Sequence, residues 1–271
     1  MTTVIVLGHH RGGTSLVAGL LNEIGVRMGP KGARPDWSGH HWSNPAGHYE
    51  NPEFVWLNAT ILAFDGAGIH ESPTWKDVAN RARPFHERIA ATVHSNEGGL
   101  WGWKDPWNVL TLEVYLPSVT DPRLVILHRD PQAVAASIYR RDGTGPMEAV
   151  GIARLWEERM AEIARRYPEI PRLELRYEEV VEAPEKAIDR LAGFVGLAPS
   201  PEQRRAARGV VMDVPATRRE AKRLALRELA TFPKWLGWFV GRRIQHHLTD
   251  PGEILRSALT EFTGAFRTAL A

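Results

Sequence analysis

The stretch from Met1 to Gly25, MTTVIVLGHHRGGTSLVAGLLNEIG, constrains the fold more than any other part of the chain. Thr3 to Leu7 is a β-branched, apolar run with the character of a buried strand. It breaks at Gly8 into His9-His10-Arg11-Gly12-Gly13, and Thr14 and Ser15 then open a segment in which Leu16, Val17, Leu20, Leu21 and Ile24 recur at helical spacing. Strand, glycine-rich turn and helix is the arrangement that wraps backbone N–H groups around phosphate. Against the pattern GxxxxGK[ST], Gly8, Gly13 and Ser15 are in place, but Thr14 stands where a lysine belongs. An NTPase needs that lysine on its β- and γ-phosphates, so the loop argues for an anion site and against ordinary ATP or GTP hydrolysis. Arg11, inside the loop, can supply the missing charge. The alternative is a plain βα turn whose glycines serve geometry alone.

The chain has 271 residues, 43% of them hydrophobic, enough to bury a full core. The expected organisation is one domain over 1–271, with a core at 1–199 and a helical, basic extension at 200–271. Cysteine is absent, which excludes a disulfide scaffold, a Cys-ligated zinc site and a thiol nucleophile. No basic segment precedes a long apolar one, and Thr3 to Leu7 is too short for a signal peptide or a membrane span, so a cytoplasmic location is expected. The net charge of +2 conceals an asymmetry: Gln203 to Arg243 carries eleven Lys or Arg against the acids Asp213, Glu220 and Glu228. Such a segment suits a nucleotide, an acidic substrate or a membrane surface, or else forms a solvated helix face.

Further along, Val26 to His48 has no clear periodicity and reads as a long loop. Asn51-Pro52 starts a helix expected to reach about Phe64, with Val55, Leu57, Ile61 and Leu62 inward. A polar helix is expected over Lys76 to His94, interrupted near Pro84. Leu100–Lys104, Arg123–His128 and Arg172–Arg176 read as strands. Helices are expected from Pro131 to Arg141, from Met147 to Tyr167 and from Pro184 to Val195. Beyond Ser200-Pro201 the pattern is helical only, with a further start at Asp250-Pro251. The alternation predicts a mostly parallel sheet with helices on both faces.

Two strand ends carry chemistry. Arg129 ends the run RLVILHR, with Ser137 on the following helix, and the carboxyl end of a parallel strand is a ligand position. The alternative is an arginine that caps its own helix or pairs with Asp130. The segment WGWKDPW puts Lys104 and Asp105 at another strand end among tryptophans, where a lysine is costly unless it meets an anion or a carboxylate. The alternative there is a Lys104–Asp105 pair near the surface.

Taken together, these segments resemble the sulfotransferases that use 3′-phosphoadenosine 5′-phosphosulfate (PAPS). The loop Arg11-Gly12-Gly13-Thr14-Ser15 looks like the family's 5′-phosphosulfate loop, and Arg129-Asp130-Pro131 with Ser137 looks like its 3′-phosphate motif. Lys104-Asp105-Pro106 is similar to an element of the tyrosylprotein and heparan sulfate branches, and Gly47-His48-Tyr49-Glu50 to a G-x-x-E element of bacterial members. Smaller similarities lie at Tyr177-Glu178-Glu179 and at Phe194 to Leu197. The resemblance implies a P-loop-like, three-layer α/β/α fold with a helical C-terminal extension. It also implies in-line sulfuryl transfer from PAPS to an acceptor hydroxyl or amine, releasing adenosine 3′,5′-bisphosphate, with no metal.

By the same resemblance, the amides of Gly12, Gly13, Thr14 and Ser15 hold the 5′-phosphate, with the Thr14 and Ser15 hydroxyls. Arg11 and Lys104 offset charge on the bridging oxygen, and Arg129 with Ser137 takes the 3′-phosphate. Glu50 is the candidate base, with His48, His40, His41, His9 and His10 as rivals. The C-terminal cofactor element of the cytosolic branch is not found, and Arg218, Arg219 or Lys222 stand in its place. The acceptor expected is a small molecule, a glycan or a lipid, and no nucleic acid. Two other functions stay open: a nucleotide or sugar kinase, and a non-enzymatic module that binds anions or membranes peripherally through Trp235, Trp238, Phe239, Arg242 and Arg243.

Overall fold

The apolar run at the start is strand β1 (Thr2–Gly8), and Val4, Ile5, Val6 and Leu7 within it are wholly buried. A strand buried on both faces needs a partner on each edge and helices above and below it. The computed structural model describes residues 1–29, 49–62, 73–142 and 146–212, with the backbone alone at 139–142, 146–148 and 212. His40, His41, His48, Arg218, Arg219, Lys222 and the helix start at Asp250-Pro251 lie outside the described residues, as does the aromatic and basic segment around Trp235.

In chain order, β1 is followed by α1 (Thr14–Glu23), β2 (Arg27–Met28), α2 (Pro52–Ile61), α3 (Trp75–Ala82) and α4 (His86–Asn96). Then come β3 (Leu100–Lys104), α5 (Asn108–Tyr115), β4 (Pro122–His128), α6 (Pro131–Asp142) and α7 (Pro146–Arg166). The described part ends with β5 (Arg172–Arg176), α8 (Tyr177–Glu182), α9 (Pro184–Val195) and α10 (Pro201–Met212). All five strands are parallel, in the order β2-β3-β1-β4-β5. Val6 pairs with Lys104 on one side and Val125 on the other, and Gly8 pairs with Leu127. The glycine loop, Lys104 and Arg129 therefore leave the sheet at the same, carboxyl end.

The residues group into two compact units. Met1–Arg129 and Leu155–Asp213 form the first, which contains the whole sheet. Asp130–Arg154 belongs to the second, where Val134, Ala135 and Ile138 of α6 pack with Ala149 and Ala153 of α7.

The predicted strands and the helices at 131–141, 147–167 and 184–195 fall within a residue or so of the observed ones. The expected interruption near Pro84 is a short 3-10 turn, Arg83–Phe85, after a helix capped by Thr74 and Asp77. Other expectations fail. The helix from Asn51 ends at Ile61, and it buries Phe54 and Asn58 in preference to Val55. Phe54 turns inward because its ring stacks on Trp103 at 4.3 Å and tilts toward Tyr115 at 5.5 Å. The loop expected from Val26 holds β2, a two-residue edge strand with too little periodicity to read. The α5 segment NVLTLEVY is buried nearly all round, so it has no polar stripe to give away its helical period.

Candidate active site at the carboxyl ends of three strands

The loop after β1 turns back on itself before it becomes α1. Arg11 takes a left-handed backbone conformation, φ 62°, and the Gly12 amide donates to the His9 carbonyl at 3.0 Å. The Gly12 amide, one of those expected to face a phosphate, is bonded within the loop in this structure. Gly13 (φ 92°) precedes α1, whose first amides have no acceptor within the helix and face outward from its start. A Cβ on Gly13 would lie 2.3 Å from the ring of Tyr177, and one on Gly8 would lie 2.6 Å from Thr14 Cγ2. The loop is thus pressed between its own helix and the segment after β5.

On the β4 side, Arg129 reaches back to this loop. Its Nη1 donates to the Arg11 carbonyl at 2.7 Å, and its guanidinium lies 4.1 Å from the centre of the Tyr177 ring. Burial holds the Tyr177 phenol above its ordinary range, while the positive charges of Arg129 and Arg11 act the other way. The Arg129 guanidinium thus lies against this ring at the loop. Arg129 Nε is buried with no hydrogen-bond partner among the described residues, a donor that an acceptor there would satisfy. Tyr177 entered the sequence reading only as a similarity to other members, because its ring reaches the loop solely through the β4–β5 pairing. Ser137 is 7% exposed on α6 and belongs to the other unit.

On the β3 side, Lys104 is 1% exposed and its Nζ donates to Glu50 Oε1 at 2.5 Å. Glu50 also forms an isolated parallel bridge with Lys104 through its backbone. A buried ammonium with no counterion is strongly disfavoured, so this carboxylate is what lets a lysine end the strand. The alternative of a Lys104–Asp105 surface pair is excluded, since both residues are buried and Lys104 meets Glu50.

Asp105 instead ties the strand to α2 and α5. It accepts from Asn58 Nδ2 at 2.8 Å and from the Trp107 amide at 3.0 Å. Asn58, fully buried, uses its whole amide: Nδ2 also donates to Asn108, and Oδ1 accepts from Thr111 and Tyr115. Burial pushes the Asp105 carboxyl up to about 7, and the neighbouring Glu50 charge adds to the rise. The bonds from Asn58 and Trp107 and the Lys104 charge oppose it.

Asn51 caps α2 by accepting from the Glu53 amide at 3.0 Å, with Pro52 at the first helical position as its sequence predicts. Asn51 Nδ2 also donates to Asn96 Oδ1 at 2.9 Å. Glu50 is therefore held by the helix start behind it as well as by Lys104.

Of the other histidines proposed as bases, His9 is 1% exposed, with Nε2 2.7 Å from Glu157 Oε1. His10 stands edge-on to Trp107 at 4.3 Å and to Trp156 at 5.7 Å. The structure thus brings together Arg11, Gly13, Thr14, Ser15 and Arg129 around one loop, and Glu50 with Lys104 at the next strand end.

The sequence matches the family model described as Sulfotransferase family over residues 3–201. No curated protein matches the chain. Among solved structures, the sulfotransferase domain of the Synechococcus PCC 7002 olefin synthase is similar at 18% identity and a TM-score of 0.50, covering 75% of this chain and 76% of that one. Sulfotransferase STF1 from Mycobacterium tuberculosis H37Rv is similar at 19% identity and a TM-score of 0.49, covering 77% and 71%. At such identity the likeness to the Synechococcus domain concerns the fold alone. The match spans the loop, both strand-end segments and the sheet that aligns them, and the chain belongs to the sulfotransferase family.

Proposed function

We propose that the sulfuryl donor of this transferase is PAPS and that Glu50, Lys104, Arg11 and Arg129 do the work around it. The observation that carries the reading is the common carboxyl end of β3, β1 and β4, which gathers a Lys–Glu pair, a glycine loop that contains Arg11, and the Arg129 guanidinium bonded to that loop. The group fits the residues present: Arg129 Nε is a buried donor with no hydrogen-bond partner among the described residues, and the first amides of α1 have no acceptor within the helix. The amides of Gly13, Thr14 and Ser15, with the Thr14 and Ser15 hydroxyls, hold the 5′-phosphate. Arg129, and with it Ser137 by family resemblance, takes the 3′-phosphate.

PAPS supplies the sulfuryl group and, in adenosine 3′,5′-bisphosphate, its leaving group. The protein's own part is positioning and charge. Glu50 accepts the proton of the acceptor hydroxyl or amine, a role suited to a carboxylate that is 16% exposed and held in place by Lys104. Lys104 gives one of its three N–H bonds to Glu50 and keeps two for negative charge that builds on the bridging oxygen, a task that Arg11 shares. As Glu50 takes up the proton its hold on Lys104 weakens, so the lysine's charge becomes available as the leaving group needs it.

Residues 1–271 act as one sulfotransferase domain, in which 200–271 is an extension and Arg218 serves the cofactor phosphates. The acceptor is a small molecule, a glycan or a lipid, met in the cytoplasm or at a membrane surface. No helix among the described residues is long and apolar enough to cross a membrane.

A thermal-shift comparison of adenosine 3′,5′-bisphosphate, ATP and NAD tests the donor. The bisphosphate is expected to raise the midpoint, and Arg129→Ala to abolish the rise. No shift with the bisphosphate, or a larger one with ATP and magnesium, overturns the reading in favour of a kinase.

A further inference from the structure

Glu157 on α7 is none of the residues that the motifs bring forward. Its two carboxylate oxygens are divided between two strand ends: Oε1 lies 2.7 Å from His9 Nε2, and Oε2 lies 3.0 Å from His128 Nδ1. His9 is the buried first residue of the loop, and His128 is the last residue of β4, directly before Arg129. From His9 the loop turns on its own carbonyl, which accepts from the Gly12 amide at 3.0 Å, and Arg129 Nη1 then bonds to the Arg11 carbonyl at 2.7 Å. The loop and the Arg129 segment are therefore joined twice, once through backbone at Arg11 and once through this carboxylate.

The charged groups around the bridge are few. His9 faces it from the loop and His128 from β4. Glu174 of β5 lies 3.4 Å from His128 Nε2 and is itself paired with Arg172 at 3.3 Å. The hydrogen bond to Glu157 holds the His128 imidazole above its ordinary range despite burial, and both acids add to this. Burial would raise Glu157, but its bonds to His128 and His9 win and bring it to about 2.

We propose that Glu157 is a positioning residue for the anion loop, bridging His9 and His128 so that the loop keeps a fixed spacing from Arg129. The bridge is tightest while His128 carries its proton, because the imidazolium then donates to Glu157 and Glu174 together. Raising the pH through the His128 titration removes one of those bonds and a positive charge beside the site.

Amide hydrogen exchange on the unliganded full chain reads this without any cofactor. In Glu157→Gln, amides from Arg11 to Ser15 are expected to exchange about tenfold faster at neutral pH, a loss of one charge-assisted bond, while Val4 to Leu7 are unchanged. In the native protein, loop exchange corrected for its intrinsic rate should rise as the pH is raised through the His128 titration, above the ordinary imidazole range. In His128→Asn, which keeps a donor near Nδ1 but carries no charge, that rise should vanish; this variant carries the test should Glu157→Gln not fold. Loop exchange equal to native in the folded variants overturns the proposal, as does a pH response that survives His128→Asn.

Only the affinity arm rests on the PAPS reading: adenosine 3′,5′-bisphosphate should bind Glu157→Gln about tenfold more weakly. A native protein that fails to bind the bisphosphate but shows the exchange pattern defeats the donor assignment and leaves this inference standing. Native binding with an indifferent loop does the reverse.

Discussion

The two flanks of β1 do different jobs with different materials. Toward β3, the side chains are mostly buried and held by one another: Lys104 donates to Glu50, and Asp105 is tied into the Asn58 network. Toward β4, the groups are partly exposed and titratable, with Glu157 30% and His128 26% accessible. A flank that holds a carboxylate against a buried cation gains from low dielectric and rigid geometry. A flank that must admit and release a polyanion gains from charge that water can still reach. The comparison implies that damage on the β3 side costs stability and rate together, whereas damage on the β4 side costs chiefly affinity.

The largest break is Glu50→Ala. It leaves a buried ammonium without its counterion, and the expected loss is about 3–5 kcal/mol of stability, read from denaturant or thermal unfolding. An unchanged midpoint would show that Lys104 finds another partner and that the flank is less committed than its geometry says. Lys104→Met removes the charge and keeps most of the volume. It should fold, and lose about a hundred- to a thousandfold in kcat with little change in bisphosphate binding. A pure KM effect would move Lys104 from the reaction flank to the binding one.

Gly13→Ala probes the loop between the flanks. Its left-handed backbone (φ 92°) and the 2.3 Å approach of the Tyr177 ring together should cost about 1–3 kcal/mol and weaken the bisphosphate further. The smallest effect is a dependence on pH. Asp105 titrates at about 7 in the fold and near 3.9 in the unfolded chain, so between those values the folded state binds the extra proton. Its contribution to stability is complete below the lower value and lost as pH rises through the upper one. Asp105→Asn loses one bond at every pH, but its deficit against the native protein should be smaller at about pH 8 than at about pH 5. An equal deficit at both would place the Asp105 titration elsewhere.

Much of this was legible because the sheet announces itself. RLVILH and TVIVL are continuous apolar runs, as strands buried on both faces must be, and the glycine loop follows one of them directly. The strand ends are therefore aligned by the sequence pattern itself, and with them Lys104 and Arg129. What could not be read is what those ends touch. Glu50 and Lys104 are 54 positions apart, and their contact depends on where α2 starts and how Asn58 anchors it. Asn58 itself looks like any polar helix residue, and only the convergence of Asp105, Asn108, Thr111 and Tyr115 around it shows a buried hub. Glu157 lay on a helix legible only through its apolar face, and the two histidines that it joins lie 148 and 29 positions away.

The strand order has a consequence for how the protein comes to exist. β1 stands at the middle of the sheet, yet Thr3 pairs with Trp101 on one edge and Pro122 on the other, about a hundred residues later. Until both partners have been made, VIVL is an unpaired, uncharged, β-prone segment of the kind that joins other chains. Folding must close long loops before its central contacts form, which makes it slow and concentration-sensitive. The same centrality that lets β1 present its loop between Glu50 and Arg129 leaves it without its neighbours until β3 and β4 have been synthesised.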